Sequence, residues 1–201
     1  MARRSSVLTL LALALVFCGG LAFNPSPSAS AAMAAAFTVA DFEGGAGGWY
    51  GISDKVAGGS SSTNYSVING GAARTRNALR ISGTLTKDFK YGPFAGAGFI
   101  FDRNGRDLSG MTGIRFYARG DGGRYRISVP SAAVKNHNEF GKEFVAGKAW
   151  RMISIPFAQL AQGNYGPRVQ WTGRDVRGVE VTTAGGAPRD FAVEIDQISF
   201  Y

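Results

Sequence analysis

The chain has 201 residues and a formal net charge of +8, from 22 basic and 14 acidic side chains. Its one cysteine, Cys18, and one histidine, His137, exclude internal disulfide bonds, cysteine metal sites and paired-histidine zinc sites. The basic residues are scattered without a nucleic-acid-binding pattern, so we expect no nucleic-acid partner. An acidic polysaccharide or an anionic surface suits the charge better.

The N-terminal segment has the order of a secretory signal: two arginines, an apolar run from Val7 to Phe17, and then small residues. The run is about eleven residues, shorter than the roughly 20 that span a bilayer, and no later segment is continuously apolar for that length. We therefore expect residues 1–36 to be a signal peptide and linker, the protein to be exported, and no transmembrane segment. Lipidation of Cys18 is less favoured, because Phe17 stands where a lipoprotein signal has a small residue.

Residues 37–201 predict a single all-β domain of short strands separated by clusters of glycine, asparagine, aspartate and serine. Only the segment from Pro156 to Gln162 has helical spacing, over at most about two turns. This composition predicts an antiparallel two-sheet jelly-roll β-sandwich. The predicted strands, in chain order, are 37–42, 49–56, 63–69, 78–86, 94–101, 112–119, 123–130, 139–145, 149–156, 176–183 and 190–201.

The stretch GIRFYARGDGGRYRISV, residues 113–129, places arginines between large apolar side chains. Because strand side chains alternate between two faces, Arg115 and Tyr117 point away from the core. After the Gly-Asp-Gly-Gly turn, Arg126 also points outward, so we predict a hairpin with a cationic outer face. Two interpretations stay open: a solvated face neutralised by nearby glutamates, or a binding face for a flat, polar ligand.

The sequence offers little catalytic chemistry. His137 lies in KNHNEF without a neighbouring serine or aspartate, so it predicts a polar loop residue. Glu180 and Glu194 could share one sheet face as a carboxylate pair, but ion pairs with the arginines account for them better than glycoside cleavage does. The glycine-rich GGAGGW and GGSSS segments are typical of turns, since neither opens a helix as a phosphate loop does. We therefore predict a protein that is not an enzyme.

Six ordered segments carry a resemblance to a known family. The segments are DFEGGAGGWYGISDKVAGGSSS (41–62), ALRISGTL (78–85), FAGAGFIF (94–101), DLSGMTGIRFYARGDGGRYRISV (107–129), AWRMISIPFAQL (149–160) and FAVEIDQISFY (191–201). Together they resemble the complex I intermediate-associated protein 30 family over nearly all of residues 41–201. The resemblance implies a galactose-binding-like β-sandwich, similar to family 11 carbohydrate-binding modules.

The last segment also predicts a break in a strand. Its apolar alternation shifts between Ile195 and Ile198, which indicates a β-bulge near Asp196 and Gln197. Sandwiches of the kind that the resemblance implies often bind one structural calcium ion at such an edge, with Glu43 and Asp196 as the oxygen ligands here. The alternative is that both carboxylates simply accept backbone hydrogen bonds.

The resemblance and the export signal favour an exported, non-catalytic domain that binds a polysaccharide or glycan. Other aromatic residues that the sequence places in or near loops are Tyr65, Tyr91 and Tyr165. The alternative is a protein-docking or assembly factor of the complex I intermediate-associated type, with a protein partner and no sugar ligand, which would expose a contiguous apolar patch. The predicted ligand-binding residues are Tyr117, Arg115, Arg126, Trp49, Tyr50 and Trp171.

Overall fold

A computed structural model describes residues 36–201, so Cys18 and the predicted signal segment before residue 36 lie outside the described residues. The described chain contains eleven strands, one for each predicted stretch, which confirms the all-β prediction. No helix in this part of the chain is long and apolar enough to cross a membrane. The strands are β1 (Phe37–Ala40), β2 (Trp49–Ser53), β3 (Asn64–Asn69), β4 (Asn77–Leu85), β5 (Ala95–Ile100), β6 (Gly113–Gly120), β7 (Arg124–Val129), β8 (Phe140–Val145), β9 (Arg151–Pro156), β10 (Gly178–Thr183) and β11 (Arg189–Phe200).

The strands form two antiparallel sheets. Sheet I has the order β3-β4-β11-β6-β9, and β1 pairs with the C-terminal part of β11. Sheet II has the order β2-β5-β10-β7-β8. Several consecutive strands lie in different sheets, among them β4 and β5, and β6 and β7, which is typical of a jelly roll. The predicted two-sheet sandwich is therefore confirmed.

The inward side chains of both sheets form one hydrophobic core. On sheet I, Ile114 and Phe116 of β6 are buried, and on sheet II so are Tyr125 and Ile127 of β7. Phe200, near the end of the chain, is fully buried. Its ring contacts three further aromatic rings, at centroid distances of 6.2, 6.2 and 5.9 Å, which belong to Phe37, Phe101 and Phe157.

The predicted hairpin over residues 113–129 is wrong. The first half is β6 in sheet I and the second half is β7 in sheet II, so the Gly-Asp-Gly-Gly turn crosses between the sheets. Asp121 holds this crossing, because its Oδ1 accepts the Gly123 N–H at 2.7 Å and its Oδ2 accepts from Arg189 Nη1 at 2.9 Å. The alternation of apolar and polar side chains identifies the buried side of each strand. The pattern is the same whether the second strand pairs with the first in a hairpin or crosses to the other sheet.

The bulge is confirmed. Tyr117 pairs with Asp196, while Arg115, two residues earlier in β6, pairs with Ser199, so β11 carries one extra residue. Gln197 takes up the extra residue with a φ of 48°. The predicted helical segment is a single 3-10 turn, Phe157–Gln159, and a second 3-10 turn, Asp54–Ala57, replaces the predicted end of β2.

Candidate functional site

One row of outward positions crosses sheet II with a glutamate on the middle strand and small residues on the strands beside it. Tyr50 of β2 pairs with Gly98 of β5, and Gly98 pairs with Glu180 of β10. Glu180 in turn pairs with Ser128 of β7, which pairs with Gly141 of β8. A Cβ at Gly98 would lie 2.8 Å from the Tyr50 hydroxyl and 3.0 Å from Glu180 Cγ. The glycine therefore lets these two side chains meet across β5.

Tyr50 and Glu180 form a direct hydrogen bond across Gly98. The Tyr50 hydroxyl donates to Glu180 Oε1 at 3.0 Å. Burial, followed by the nearby negative charge of Glu180, raises the pKa of Tyr50, so the phenol remains a donor at neutral pH. Burial also raises the pKa of Glu180, although the Tyr50 bond opposes that shift. Glu180 Oε2 makes no hydrogen bond within residues 36–201, which leaves an acceptor for a ligand hydroxyl.

A second carboxylate, Glu139, lies at the edge of the same sheet, within electrostatic range of Glu180. Glu139 precedes β8, and its Oε2 accepts the Ser131 N–H at 3.1 Å. Burial raises the pKa of Glu139 to about 7, and the charge of Glu180 adds to the shift. The positive charge of Arg177 acts on both acids in the opposite direction. Arg177 Nε is buried without a hydrogen-bond partner among the described residues.

Tyr165 provides an exposed aromatic ring above this acidic pair. Its side chain is 58% exposed, and its hydroxyl donates to the His137 carbonyl at 2.8 Å. The buried Asn138 fixes the loop, since its Nδ2 donates to the Gly163 carbonyl at 3.2 Å and to that of Tyr165. Burial raises the pKa of Tyr165, and the charges of Arg126, Glu139 and Glu180 also act on its hydroxyl, which is consistent with these groups lying near one another. We call Tyr50, Glu139, Tyr165, Arg177 and Glu180 the sheet II site.

Arg126 borders the sheet II site in a supporting position. Its Nη2 donates to the Ala161 carbonyl at 2.6 Å and to the Glu139 carbonyl at 3.2 Å. Burial lowers the pKa of Arg126 from its ordinary value. The guanidinium therefore ties the start of β8 to the loop that carries Tyr165.

The six predicted ligand-binding residues do not come together. Tyr50 belongs to the sheet II site and Arg126 borders it, whereas Arg115 and Tyr117 lie on the outer face of sheet I. Trp49 is only 6% exposed, because as the first residue of β2 it faces the core between Phe42 and Phe99. This placement corrects the expectation that its ring is available to a ligand.

Trp171 is half-buried rather than free. Its ring packs edge-on against Phe140 and Phe157, at centroid distances of 5.1 and 4.9 Å. These contacts occupy the indole with core aromatics, so it closes the end of the sandwich. The two tryptophans thus contribute packing, and the exposed ring near the site is that of Tyr165.

The two glutamates considered for catalysis lie on different sheets, so the shared face is wrong. Glu194 of β11 accepts from Arg119 Nε and from Arg80 Nη1, the latter at 2.9 Å. This ion-pair role agrees with the prediction for sheet I. Glu180 makes no salt bridge in the described part of the chain and bonds to Tyr50 instead. The carboxylate that it approaches is Glu139, which sequence reasoning missed.

The predicted calcium ligands are already engaged by donors. Glu43 Oε1 accepts the N–H groups of Arg76 and Asn77, both at 2.8 Å, and the Arg76 side-chain bond is the main reason that the pKa of Glu43 is lowered. Asp196 Oδ2 accepts the Ala72 N–H at 2.7 Å and the Thr75 hydroxyl. Within residues 36–201 there is no group of three or more histidine, cysteine or acidic side chains able to hold a metal ion. This donor set does not fit a calcium ion, which prefers several converging oxygens.

Glu139 makes stability depend on pH. The denatured chain releases this proton near pH 4.5, whereas the folded chain keeps it to about 7. The folded state then binds more protons, so the free energy of unfolding should fall as pH rises between these values and level off above them. Over this pH range we expect the free energy of unfolding of the wild type to fall by on the order of 1 kcal/mol relative to that of Glu139→Gln, after allowance for solvent screening. Urea unfolding at a series of pH values measures the difference, and parallel curves would contradict it.

Comparison with known proteins supports the fold. The sequence model of the complex I intermediate-associated protein 30 family matches residues 39–195. No curated protein matches the sequence. The structure is similar to the family 11 carbohydrate-binding module of a cellulosomal cellulase of Clostridium thermocellum, with 20% identity and a TM-score of 0.62, over 82% of this chain and 93% of that chain.

Two further solved structures are similar. A family 11 module from Clostridium thermocellum, in complex with a β-1,3-1,4-mixed-linked tetrasaccharide, has 20% identity and a TM-score of 0.62, over 82% of this chain and 94% of that chain. A family 30 carbohydrate-binding module has 16% identity and a TM-score of 0.59, over 83% of this chain and 98% of that chain. At these identities the similarities establish a shared β-sandwich fold.

Proposed function

The chain belongs to the complex I intermediate-associated protein 30 family, and we propose that it is a non-catalytic domain that binds a glycan at the sheet II site. The proposal includes export, because residues 1–36 have the order of a secretory signal. The single observation that carries it is the sheet II site itself, where an exposed tyrosine ring stands beside two carboxyl groups and an arginine.

The chemistry of the sheet II site suits a sugar. A pyranose has an apolar face that packs on an aromatic ring, and Tyr165 offers such a ring on a loop fixed by Asn138. Sugar hydroxyls donate as well as accept, and Glu180 Oε2, which has no hydrogen-bond partner among the described residues, offers an acceptor for one of them. The family 11 module in the solved complex holds a mixed-linked tetrasaccharide, so a neutral β-glucan is the first ligand to test.

The electrostatics and contacts of the two acids support binding without cleavage. Glycoside hydrolysis needs one protonated and one ionised carboxyl group, so their pKa values must be pushed apart. Burial raises the pKa of both Glu139 and Glu180, and Glu180 Oε1 is already occupied by the Tyr50 hydroxyl. The two pKa values are therefore shifted in the same direction rather than apart, and we expect prolonged incubation with a bound polysaccharide to release no new reducing ends.

Affinity electrophoresis tests the proposal. We expect mixed-linkage β-glucan, or another neutral polysaccharide in a soluble panel, to retard the wild-type protein. Tyr165→Ala and Glu180→Gln should each weaken binding about tenfold, through loss of a stacking platform and of an acceptor. Tyr91→Ala is the matched variant, because Tyr91 is an exposed tyrosine outside the sheet II site. Loss of binding in Tyr91→Ala but not in Tyr165→Ala, or no retardation by any polysaccharide, would contradict the proposal.

The family description favours a second candidate function, protein docking or assembly without a sugar. The large exposed hydrophobic side chains of the described residues belong to different loops and strands: Val56, Tyr91, Val145, Met152 and Tyr165. A pull-down with the full chain distinguishes the two. A stoichiometric protein partner that survives competition by soluble glycans would favour docking over sugar binding.

A further inference from the structure

A hollow of about 550 Å³ opens on the outer face of sheet I, on the opposite side of the sandwich from the sheet II site. It lies where β6 and β9 meet the bulge of β11. Its lining includes Arg74, Arg115, Tyr117, Met152 and Gln197. Glycan binding at the sheet II site uses none of these residues. We call this depression the sheet I hollow.

The backbone around the sheet I hollow is held in an uncommon conformation. Ala73, Arg74 and Gln197 have φ values of 44°, 86° and 48°, and the described chain has only five non-glycine residues with positive φ. The buried Asp196 fixes the loop by accepting from Ala72 N, and Gln197 Nε2 donates to the Ala72 carbonyl at 2.8 Å. Such conformations persist only where the surroundings enforce them, and they concentrate at ligand sites. The sheet I hollow is therefore preformed.

Arg115 presents an oriented and unneutralised guanidinium to the sheet I hollow. Its Nε donates to Ser199 Oγ at 3.1 Å, and its Cζ lies 5.8 Å from the centre of the Tyr201 ring. Its two Nη groups make no hydrogen bond or salt bridge with any described residue, and the same holds for the whole Arg74 side chain. By contrast, Arg119 on the same strand is paired with Glu194.

The other groups of the sheet I hollow suit a sugar ring. Tyr117 lies directly opposite Met152 in the register of β6 and β9, and Met152 is 59% exposed, so the pair forms an apolar strip. Asp41 and Thr75, also in the lining, can accept hydrogen bonds from hydroxyl groups. A volume of this size accommodates a small saccharide, whereas a bare inorganic anion would leave the strip unused.

We propose that the sheet I hollow is a second binding site, which takes an acidic saccharide with its carboxylate on Arg115 and Arg74 and a ring face on Tyr117. A guanidinium binds a carboxylate through two parallel hydrogen bonds, and the free Nη groups of Arg115 are available for that geometry. The site is independent of glycan binding on sheet II, because the two sheets present opposite outer faces.

Isothermal titration of the full chain with trigalacturonic acid, and with its uncharged methyl ester, tests the proposal. The acid should bind more tightly than the ester, and added salt should weaken only the acid. Arg115→Ala and the closer-fitting Arg115→Gln should weaken the acid about tenfold or more and leave the ester unchanged. Tyr117→Ala should weaken both. Arg124→Ala removes the same charge from sheet II, where Arg124 pairs with Glu143. It should change the affinity for neither the acid nor the ester.

Glu180→Gln separates this site from the sheet II site. Unchanged affinity for the acid in Glu180→Gln supports a distinct site even if the sheet II site binds no glycan. Three results would overturn the proposal. They are no binding of trigalacturonic acid, equal affinity for the acid in wild type and both Arg115 variants, or loss of acid binding in Glu180→Gln. Thermal melts of each variant establish that it is folded, and Arg115 is exposed, so we expect those melts to match wild type.

Discussion

Asp196→Ala should lower the free energy of unfolding by about 3 kcal/mol, a large effect for one side chain. Asp196 is fully buried, and it accepts hydrogen bonds from Ala72 N, from Gln197 N at 2.7 Å and from the Thr75 hydroxyl. The Thr75 hydroxyl would keep its bond to the Ala72 carbonyl, but alanine would leave the N–H groups of Ala72 and Gln197 without this acceptor, at the bulge where β11 changes register. Part of the loss is offset, because the buried carboxylate carries a desolvation cost that also raises the pKa of Asp196.

Urea unfolding of Asp196→Ala and Asp196→Asn measures the effect. Asparagine keeps the size and one acceptor oxygen, so we expect it to cost less than alanine. The same experiment tests calcium. If Asp196 acts only through hydrogen bonds, neither a chelator nor excess calcium chloride should move the wild-type midpoint. A calcium-dependent midpoint that Asp196→Ala abolishes would show instead that Asp196 binds the ion, since a ligand of the folded state stabilises it by mass action.

The strands could be predicted because their signals are local. Alternation of apolar side chains and clusters of turn residues operate within a few positions, and they identified all eleven strands. The bulge was visible for the same reason, since the change of parity around Asp196 and Gln197 lies within one strand. The 3-10 turn Asp54–Ala57 gave no such signal, because residues 49–56 read as one continuous strand.

Strand pairing could not be predicted in the same way. In a sandwich, a strand that crosses to the other sheet buries the same alternate residues as one that turns back beside its predecessor. Residues 113–129 therefore looked like a hairpin, and Arg126 was grouped with Arg115 and Tyr117 although it lies on the other sheet. Only the long-range pairing of β7 with β10 reveals this separation.

The sheet II site depends on the same long-range order. Glu139 and Glu180 are far apart in sequence and come within electrostatic range of each other because β10 lies two strands from β8, which begins directly after Glu139. Trp49 and Tyr50 did carry a local signal, since neighbours in a strand face opposite sides and only one could be exposed. The alternating small residues of AGAGF, residues 95–99, were a second signal, because they mark a place where other side chains cross the strand.

Gly98→Ala should weaken glycan binding at the sheet II site about a hundredfold while the fold survives. The new methyl group would lie 2.8 Å from the Tyr50 hydroxyl and 3.0 Å from Glu180 Cγ, so both side chains must move apart. Two ligand contacts are then misplaced, and each is worth about 1.4 kcal/mol, or tenfold. The atoms that must yield are ends of side chains, so we expect a loss of stability of only about 1 kcal/mol.

Gly96→Ala is the matched control on the same strand. Its added Cβ would lie 2.0 Å from the Val181 carbonyl oxygen, a backbone atom of β10 that cannot turn away. This variant should therefore lose stability, by about 3 kcal/mol, because the pairing of β5 with β10 has to shift. Affinity electrophoresis and urea unfolding of both variants separate the two effects. If Gly98→Ala binds glycan as wild type does, the contact between Tyr50 and Glu180 is not part of the binding surface, and the ligand lies nearer Tyr165.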